Sequence, residues 1–310
     1  MTNKNVVAIG VFDGVHAGHK HLINAAKKIA LTNEAKLVVA SFHPHPVSVL
    51  RPDSFLGLIT GPDFRTELLK SAGANRVEFI DFSKTVSQMS PDEFVEVVVL
   101  GQLKANIVVI GQNFRFGAKA SGNVETLQTL GNKFGFEVEV IELAGDSNTW
   151  SSTRIRTHLI NGEVDLASQL LGRPHRLVGE VVHGDHRGRE LGYPTANMAV
   201  QDNVIIPADG VYSALMTAIE PVTNDKRIFP AAVSIGTNPT FEDVMERRVE
   251  AYAIGQENLD LYGQVITLDF IKAVRPMEKF AGITELLAAM ASDISKATIQ
   301  INDFLDSPSH

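Results

Sequence analysis

Two histidines and three glycines share the short string Gly10 to His19, GVFDGVHAGH, and together they have the makings of a phosphate site. An apolar run, Val6 to Ile9, leads in and a helical pattern follows, so the string sits where a buried strand turns into a helix. Gly10, Gly14 and Gly18 let the backbone approach a ligand with no Cβ atoms in the way. His16 and His19 are three apart, so they share one helix face close to its positive end. Imidazoles, unpaired N–H groups and a helix dipole in one place form a trap for a polyphosphate.

Further constellations lie downstream. Trp150 to Arg156, WSSTRIR, precedes a helical run. Ser151, Ser152 and Thr153 are N-cap residue types whose hydroxyls, with the first helix N–H groups, can bind phosphate oxygens, and Arg156 adds a forked cation. Taken alone, Ser-Ser-Thr before a helix is usually just a cap. In Phe42 to Pro46, FHPHP, two prolines stiffen an extended loop and hold His43 and His45. Ile110 to Gly117, IGQNFRFG, brings Asn113 and Arg115 beside Phe114 and Phe116, rings more often found in a core than facing a ligand.

The second half carries Gly184 to Asn197, GDHRGRELGYPTAN. Gly184, Gly188 and Gly192 make it mobile enough to fold over phosphates, and Arg187 and Arg189 supply positive charge. In its last four residues, Pro194 to Asn197, Thr195 and Asn197 offer oxygen ligands on one side of an extended chain, a donor set suited to Mg²⁺ shared with a nucleotide. No G-x-x-x-x-G-K-[ST] string occurs, so a kinase here is not a P-loop enzyme. Glu250, in RVEAY, is a candidate proton acceptor, although a lone strand Glu is most often an exposed alternating residue.

Two kinds of scaffold must position these groups. In the first half the apolar runs Leu37 to Ser41, Arg76 to Ile80, Asn106 to Ile110 and Glu137 to Ile141 alternate with helical stretches: His19 to Leu31, Asp63 to Ser71, Pro91 to Leu100 and Asn123 to Phe134. Ser90 with Glu93 forms a capping box ahead of the third helix. Such alternation predicts a parallel sheet covered on both faces, with ligands beyond the carboxyl ends of its strands. After Pro174 the texture changes to short strands separated by turns, at Arg176 to Val182, Gly210 to Met216, Ile228 to Ser234, Val249 to Ile254 and Val265 to Val274. These predict a small antiparallel β-barrel. An apolar stripe from Phe280 to Phe304 then predicts a helix packed on that barrel.

Composition narrows the function classes. A chain of 310 residues is long enough for two domains with separate cores, and a net charge of -8 without basic blocks argues against nucleic acid as a partner. Cysteine is absent, which removes disulfides, thiolate metal sites and a thiol nucleophile, and fits a reducing compartment. With neither a signal-like start nor a long apolar run, the expected location is cytoplasmic, with no membrane partner.

The H-x-G-H spacing between strand and helix is the signature of the adenylyl- and cytidylyltransferases, and GVFDGVHAGH closely resembles the opening of prokaryotic bifunctional riboflavin kinase/FMN adenylyltransferases, or FAD synthetases. FHPHP resembles that family's F-x-P-H-P element on the flavin side, and WSSTRIR resembles its I-S-S-T-x-I-R motif, with Trp150 in place of Ile. Pro194-Thr195-Ala196-Asn197, then Ser234 to Phe241 (SIGTNPTF) and RVEAY, are similar to successive landmarks of the riboflavin kinase module, here with Tyr252 where many relatives have His.

The resemblance implies a Rossmann-like nucleotidyltransferase domain over residues 1–168 and a riboflavin kinase β-barrel domain with a long C-terminal helix over 169–310. It implies FMN formation from riboflavin and ATP, then FAD formation from FMN and a second ATP, with Mg²⁺ as cofactor. By the same resemblance His16 and His19 stabilise charge at the transferred phosphate. Gly10, Phe12, Asp13, Gly18, Asn113, Ser151, Ser152, Thr153 and Arg156 bind the adenylyltransferase ATP. Gly184, Arg187, Gly188 and Pro194 bind ATP and flavin in the kinase, Thr195 and Asn197 hold the metal, and Glu250 is the base. The rival expectations are an adenylyltransferase with an inactive kinase-like domain, and a non-catalytic flavin or nucleotide sensor. Riboflavin, FMN, FAD and ATP are the expected small-molecule partners, and no oligomeric state is assigned.

Overall fold

The computed structural model describes residues 4–142, 151–184, 192–201, 203–220, 225–237, 247–256 and 259–307. Trp150, Arg187, Gly188, Arg189 and the last four residues of SIGTNPTF lie outside the described residues. The chain divides into two compact units, Met1–Ser152 and Thr153–His310.

The first unit runs β1 (Asn5–Ile9), α1 (Ala17–Thr32), β2 (Lys36–His43), α2 (Pro46–Leu50), α3 (Pro62–Ser71), β3 (Arg76–Asp81), α4 (Lys84–Gln88), α5 (Pro91–Phe94), β4 (Ile107–Gly111), α6 (Val124–Phe134) and β5 (Glu137–Ile141). Its five strands pair in parallel in the order β3-β2-β1-β4-β5. Alternate residues of β1 feed opposite cores. Val7 and Ile9 pack with Phe94, Phe116 and Leu127, while Val6 and Ala8 pack with Ile23, Ala26 and Leu69. A strand covered on both sides has to be apolar throughout, which is why VVAI shows no alternation. The strand order reverses between β1 and β4, and the crevice at such a switch point is where sheets of this kind bind ligands.

One helix departs from expectation. The Ser90–Glu93 capping box forms as read, but the α-helical turn ends at Phe94 and Val95–Gln102 winds as a wider π-helix. Crowded β-branched residues disfavour a regular α-helix, and Val95, Val98 and Val99 all reach the core from the widened turn.

The second unit takes in α7 (Ser152–Ile160, from its second residue), α8 (Val164–Leu171), β6 (His175–Val182), β7 (Thr195–Val200), β8 (Gly210–Ile219), β9 (Lys226–Gly236), β10 (Arg248–Ala253), β11 (Val265–Pro276) and the C-terminal helix Ile283–Asp306. Six antiparallel strands close into a barrel in the order β10-β7-β6-β11-β8-β9. Five of them match sequence expectations. The sixth, β7, contains Thr195 and Asn197, and only Met198 in it is buried, too little alternation to mark a strand.

The C-terminal helix packs on β8, β9 and β11, burying Ala297 and Ile301. Among its buried residues is a charge, Asp293, whose carboxylate accepts from Arg275 Nε at 3.0 Å and from its terminal nitrogen at 2.8 Å. Removing one partner of a buried pair strands the other. Asp293→Ala is therefore expected to destabilise the barrel unit by about 3 kcal/mol, measured by urea unfolding.

Candidate active sites

The histidine string emerges at the switch point as a turn with unusual backbone. Phe12 (φ 50) and Val15 (φ 43) are left-handed without being glycine, and Gly14 between them has φ 88. A β-branched residue in that region is a true outlier, and such residues cost of order 1–3 kcal/mol each. Surrounding contacts must hold the turn, and they can be traced. Asp13 is buried, and its carboxylate accepts from the Ile59 and Thr60 N–H groups at 3.0 Å, from the Thr60 hydroxyl at 3.2 Å and from Arg65 at 3.1 Å. The Thr60 hydroxyl oxygen accepts from Gly14 N–H at 3.1 Å.

Three of the expected ATP-site residues also have work within the fold. The carboxylate of Asp13, expected at the nucleotide, is turned into the fold, where it braces the turn. Phe12 is 1% exposed and meets the His19 ring edge-on at 5.3 Å, so its side chain is packed rather than presented. A Cβ on Gly10 would lie 2.9 Å from the Phe12 ring, so that glycine makes room for Phe12.

His16 caps α1: its Nδ1 accepts from His19 N–H at 3.4 Å. A neutral ring accepting at Nδ1 carries its proton on Nε2 and can donate from there. The two imidazoles stack with centroids 3.7 Å apart, side by side as their spacing implied. Gly18 is buried within α1.

The other loops follow neighbouring strands. After β4, Asn113 and Arg115 are exposed, whereas Phe116 is core and stacks with Phe114 at 5.7 Å. After β2, the His43–Pro44 bond is cis, and His45 caps α2 through Nδ1, accepting from Val47 N–H at 3.1 Å. Ser152, the first residue of α7, donates its hydroxyl to the Asp13 carbonyl at 3.1 Å. Ser151 precedes it, partly buried; Thr153 is exposed and Arg156 is buried on the same helix.

The barrel assembles a second site from cross-strand neighbours. Glu250 on β10 lies opposite Asn197 on β7, Tyr252 lies opposite Thr195, and on the other side Glu250 faces Ser234 of β9. Directly paired residues point to the same face. The Thr195 hydroxyl donates to Glu250 Oε2 at 3.4 Å. Asn197 Oδ1 is buried with no hydrogen-bond partner among the described residues. Pro194, Thr195 and Asn197 line a pocket with Ala251, Leu261 and Tyr262. Tyr193 meets Tyr252 edge-on at 5.6 Å, so the Tyr at that position is held by an aromatic contact. Gly184 was read, with Gly188 and Gly192, as making its loop mobile; a Cβ there would collide with the Asn197 carboxamide, so the glycine gives that side chain its place. No group of three or more His, Cys, Asp or Glu side chains able to hold a metal occurs among the described residues, and no helix there is long and apolar enough to cross a membrane.

Comparison with known proteins covers both units. A sequence model of the FAD synthetase family matches residues 1–154, and one of riboflavin kinase matches residues 171–301. Over 95% of this chain and 92% of the relative, identity to the bifunctional riboflavin kinase/FMN adenylyltransferase of Bacillus subtilis (strain 168) is 35%. The chain belongs to this family. The Escherichia coli (strain K12) bifunctional riboflavin kinase/FMN adenylyltransferase is 30% identical over 93% of the chain and 90% of that protein. Among solved structures, one described as a macrolide-efflux protein from Streptococcus pneumoniae matches with TM-score 0.82 and 33% identity, covering 96% of this chain and 95% of that one. Both family modules are present, FAD synthetase first and riboflavin kinase second.

If Gly10 serves Phe12 packing, Gly10→Ala should lose roughly 1–3 kcal/mol of stability in thermal or urea unfolding. Gly10→Ala combined with Phe12→Leu should recover part of that loss, a non-additivity expected only if the two side chains meet.

Proposed function

We propose that the protein makes FMN from riboflavin and ATP in its barrel, and FAD from FMN and a second ATP at the sheet. Membership of the bifunctional riboflavin kinase/FMN adenylyltransferases carries this reading, with both modules matched. We place the division of labour at 168/169, between the stretches matched by the two families, so that α7 serves the adenylyltransferase.

In adenylyl transfer an FMN phosphate oxygen attacks the α-phosphorus of ATP, and the bond to the β-phosphate breaks to release pyrophosphate. The protein supplies position and charge stabilisation, not covalent chemistry. His16, its Nδ1 committed to the helix cap, donates from Nε2 to the reacting phosphate, and His19 stacked on it completes the pair. Ser152, Thr153 and Arg156 hold the β- and γ-phosphates; Ser151, Asn113 and Gly18 complete that ATP site.

In the kinase, riboflavin's terminal ribityl hydroxyl attacks the γ-phosphorus, its proton passes to Glu250, and ADP leaves. Thr195 steadies the Glu250 carboxylate. The buried Asn197 oxygen and the Thr195 hydroxyl fit Mg²⁺, a hard cation that takes oxygen donors and shares the nucleotide phosphates. Bound there, Mg²⁺ would neutralise phosphate charge. Pro194 lines this pocket beside Asn197, Gly184 leaves room for the Asn197 side chain, and Arg187, Gly188, Gly184 and Pro194 are assigned to ATP and flavin. The cysteine-free composition supports the cytoplasm as the place of action.

Chromatography of products from riboflavin, ATP and Mg²⁺ tests the whole reading: FMN and FAD should both appear, and FMN alone or neither product would reject it. Glu250→Gln should lower FMN formation by roughly 10²–10⁴-fold while FAD still forms from supplied FMN. His19→Ala should do the reverse, letting FMN accumulate. Chelation of Mg²⁺ should stop FMN formation, and added Mg²⁺ should restore it.

A further inference from the structure

We infer that Arg65 is a positioning residue for adenylyl transfer, acting through Asp13 to fix the histidine turn relative to the loop after β2. This rests on the function proposed above. Arg65 lies on α3, outside every motif, yet its side chain is 0% exposed. Its guanidinium reaches three separate segments. One terminal nitrogen donates to Asp13 at 3.1 Å and to the Thr60 carbonyl at 2.8 Å. The other donates to the Ser41 hydroxyl and the Phe42 carbonyl, each at 3.4 Å, and to the Val11 carbonyl at 3.5 Å. Nε donates to the Thr60 hydroxyl at 3.4 Å.

The placement of those partners makes Arg65 more than a core cation. Val11 and Asp13 flank Phe12 within the left-handed turn, and the Thr60 hydroxyl that Arg65 touches also receives Gly14 N–H. Ser41 and Phe42 lie in β2 just before its last residue, His43, and the loop that carries His45 follows. The Asp13 carbonyl receives the Ser152 hydroxyl at the start of the phosphate-clamp helix. One planar, five-donor group thus sets where the turn stands relative to the β2 loop, and Asp13 passes that placement to Ser152. A lysine cannot span these partners, because it offers one point charge instead of a fork. A reacting group misplaced by about 1 Å loses roughly 100-fold in rate, so the effect belongs in turnover.

The test uses the full-length protein with Arg65→Met, Arg65→Lys and Thr60→Val, each supplied with FMN, ATP and Mg²⁺ well below its melting temperature. Arg65→Met should lower kcat for FAD formation by roughly 100-fold with KM for ATP changed less than about threefold, and Arg65→Lys should restore part of it. Thr60→Val, which removes only the bridging hydroxyl, should lower kcat by about tenfold. FMN formation from riboflavin, measured on the same samples, should stay at the wild-type rate and so report an intact chain. Wild-type kcat in Arg65→Met, or a loss matched by the unfolded fraction with normal turnover per folded molecule, overturns the inference; so does wild-type kcat in Thr60→Val. Absence of FAD formation by the wild-type protein would instead reject the function on which the inference rests.

Discussion

The sheet site depends on a turn that its own residues would not choose. Phe12 and Val15 sit in left-handed backbone, and the turn keeps that shape because Asp13 is buried against Thr60 and Arg65. A buried ion pair is weak evidence for stability when its lone pairs and protons go unmet. Here the carboxylate accepts two backbone N–H groups and a hydroxyl besides the guanidinium, and a satisfied network of this kind rigidifies its surroundings. The rigidity fixes where α1 starts, and hence where His16 caps it with its acceptor nitrogen inward.

The barrel positions the residues proposed for its own chemistry by different means. Glu250, Asn197, Thr195 and Tyr252 are aligned by strand register and not by a strained turn. A one-residue slip of β7 against β10 would send Thr195 and Asn197 to the opposite face. Closure of the barrel prevents it, since every strand is paired on both sides.

Motif and periodicity exposed the parallel sheet, the barrel and most strand positions, because apolar runs and turn residues are local signals. The histidine pair was legible too, since residues three apart on a helix must be neighbours. The purpose of Asp13 was not: its partner Arg65 is 52 residues away and looks like any arginine on a surface helix. The glycines are a related case. Gly10 read as a place for close backbone approach and Gly184 as a source of loop mobility, and in the fold their missing Cβ atoms leave room for Phe12 and Asn197. What a glycine makes space for is settled by tertiary packing, which the local string does not encode. Strand β7 escaped notice because polar side chains occupy positions where apolar residues would have announced it.

A ring of strands with no first and no last member leaves no unpaired backbone for a foreign chain to extend. A module built that way is self-sufficient in its hydrogen bonding, and can be joined to a new neighbour, or cut from an old one, without creating a sticky border. Tethering two consecutive biosynthetic steps in one polypeptide is a modest rearrangement when one of the parts is already sealed.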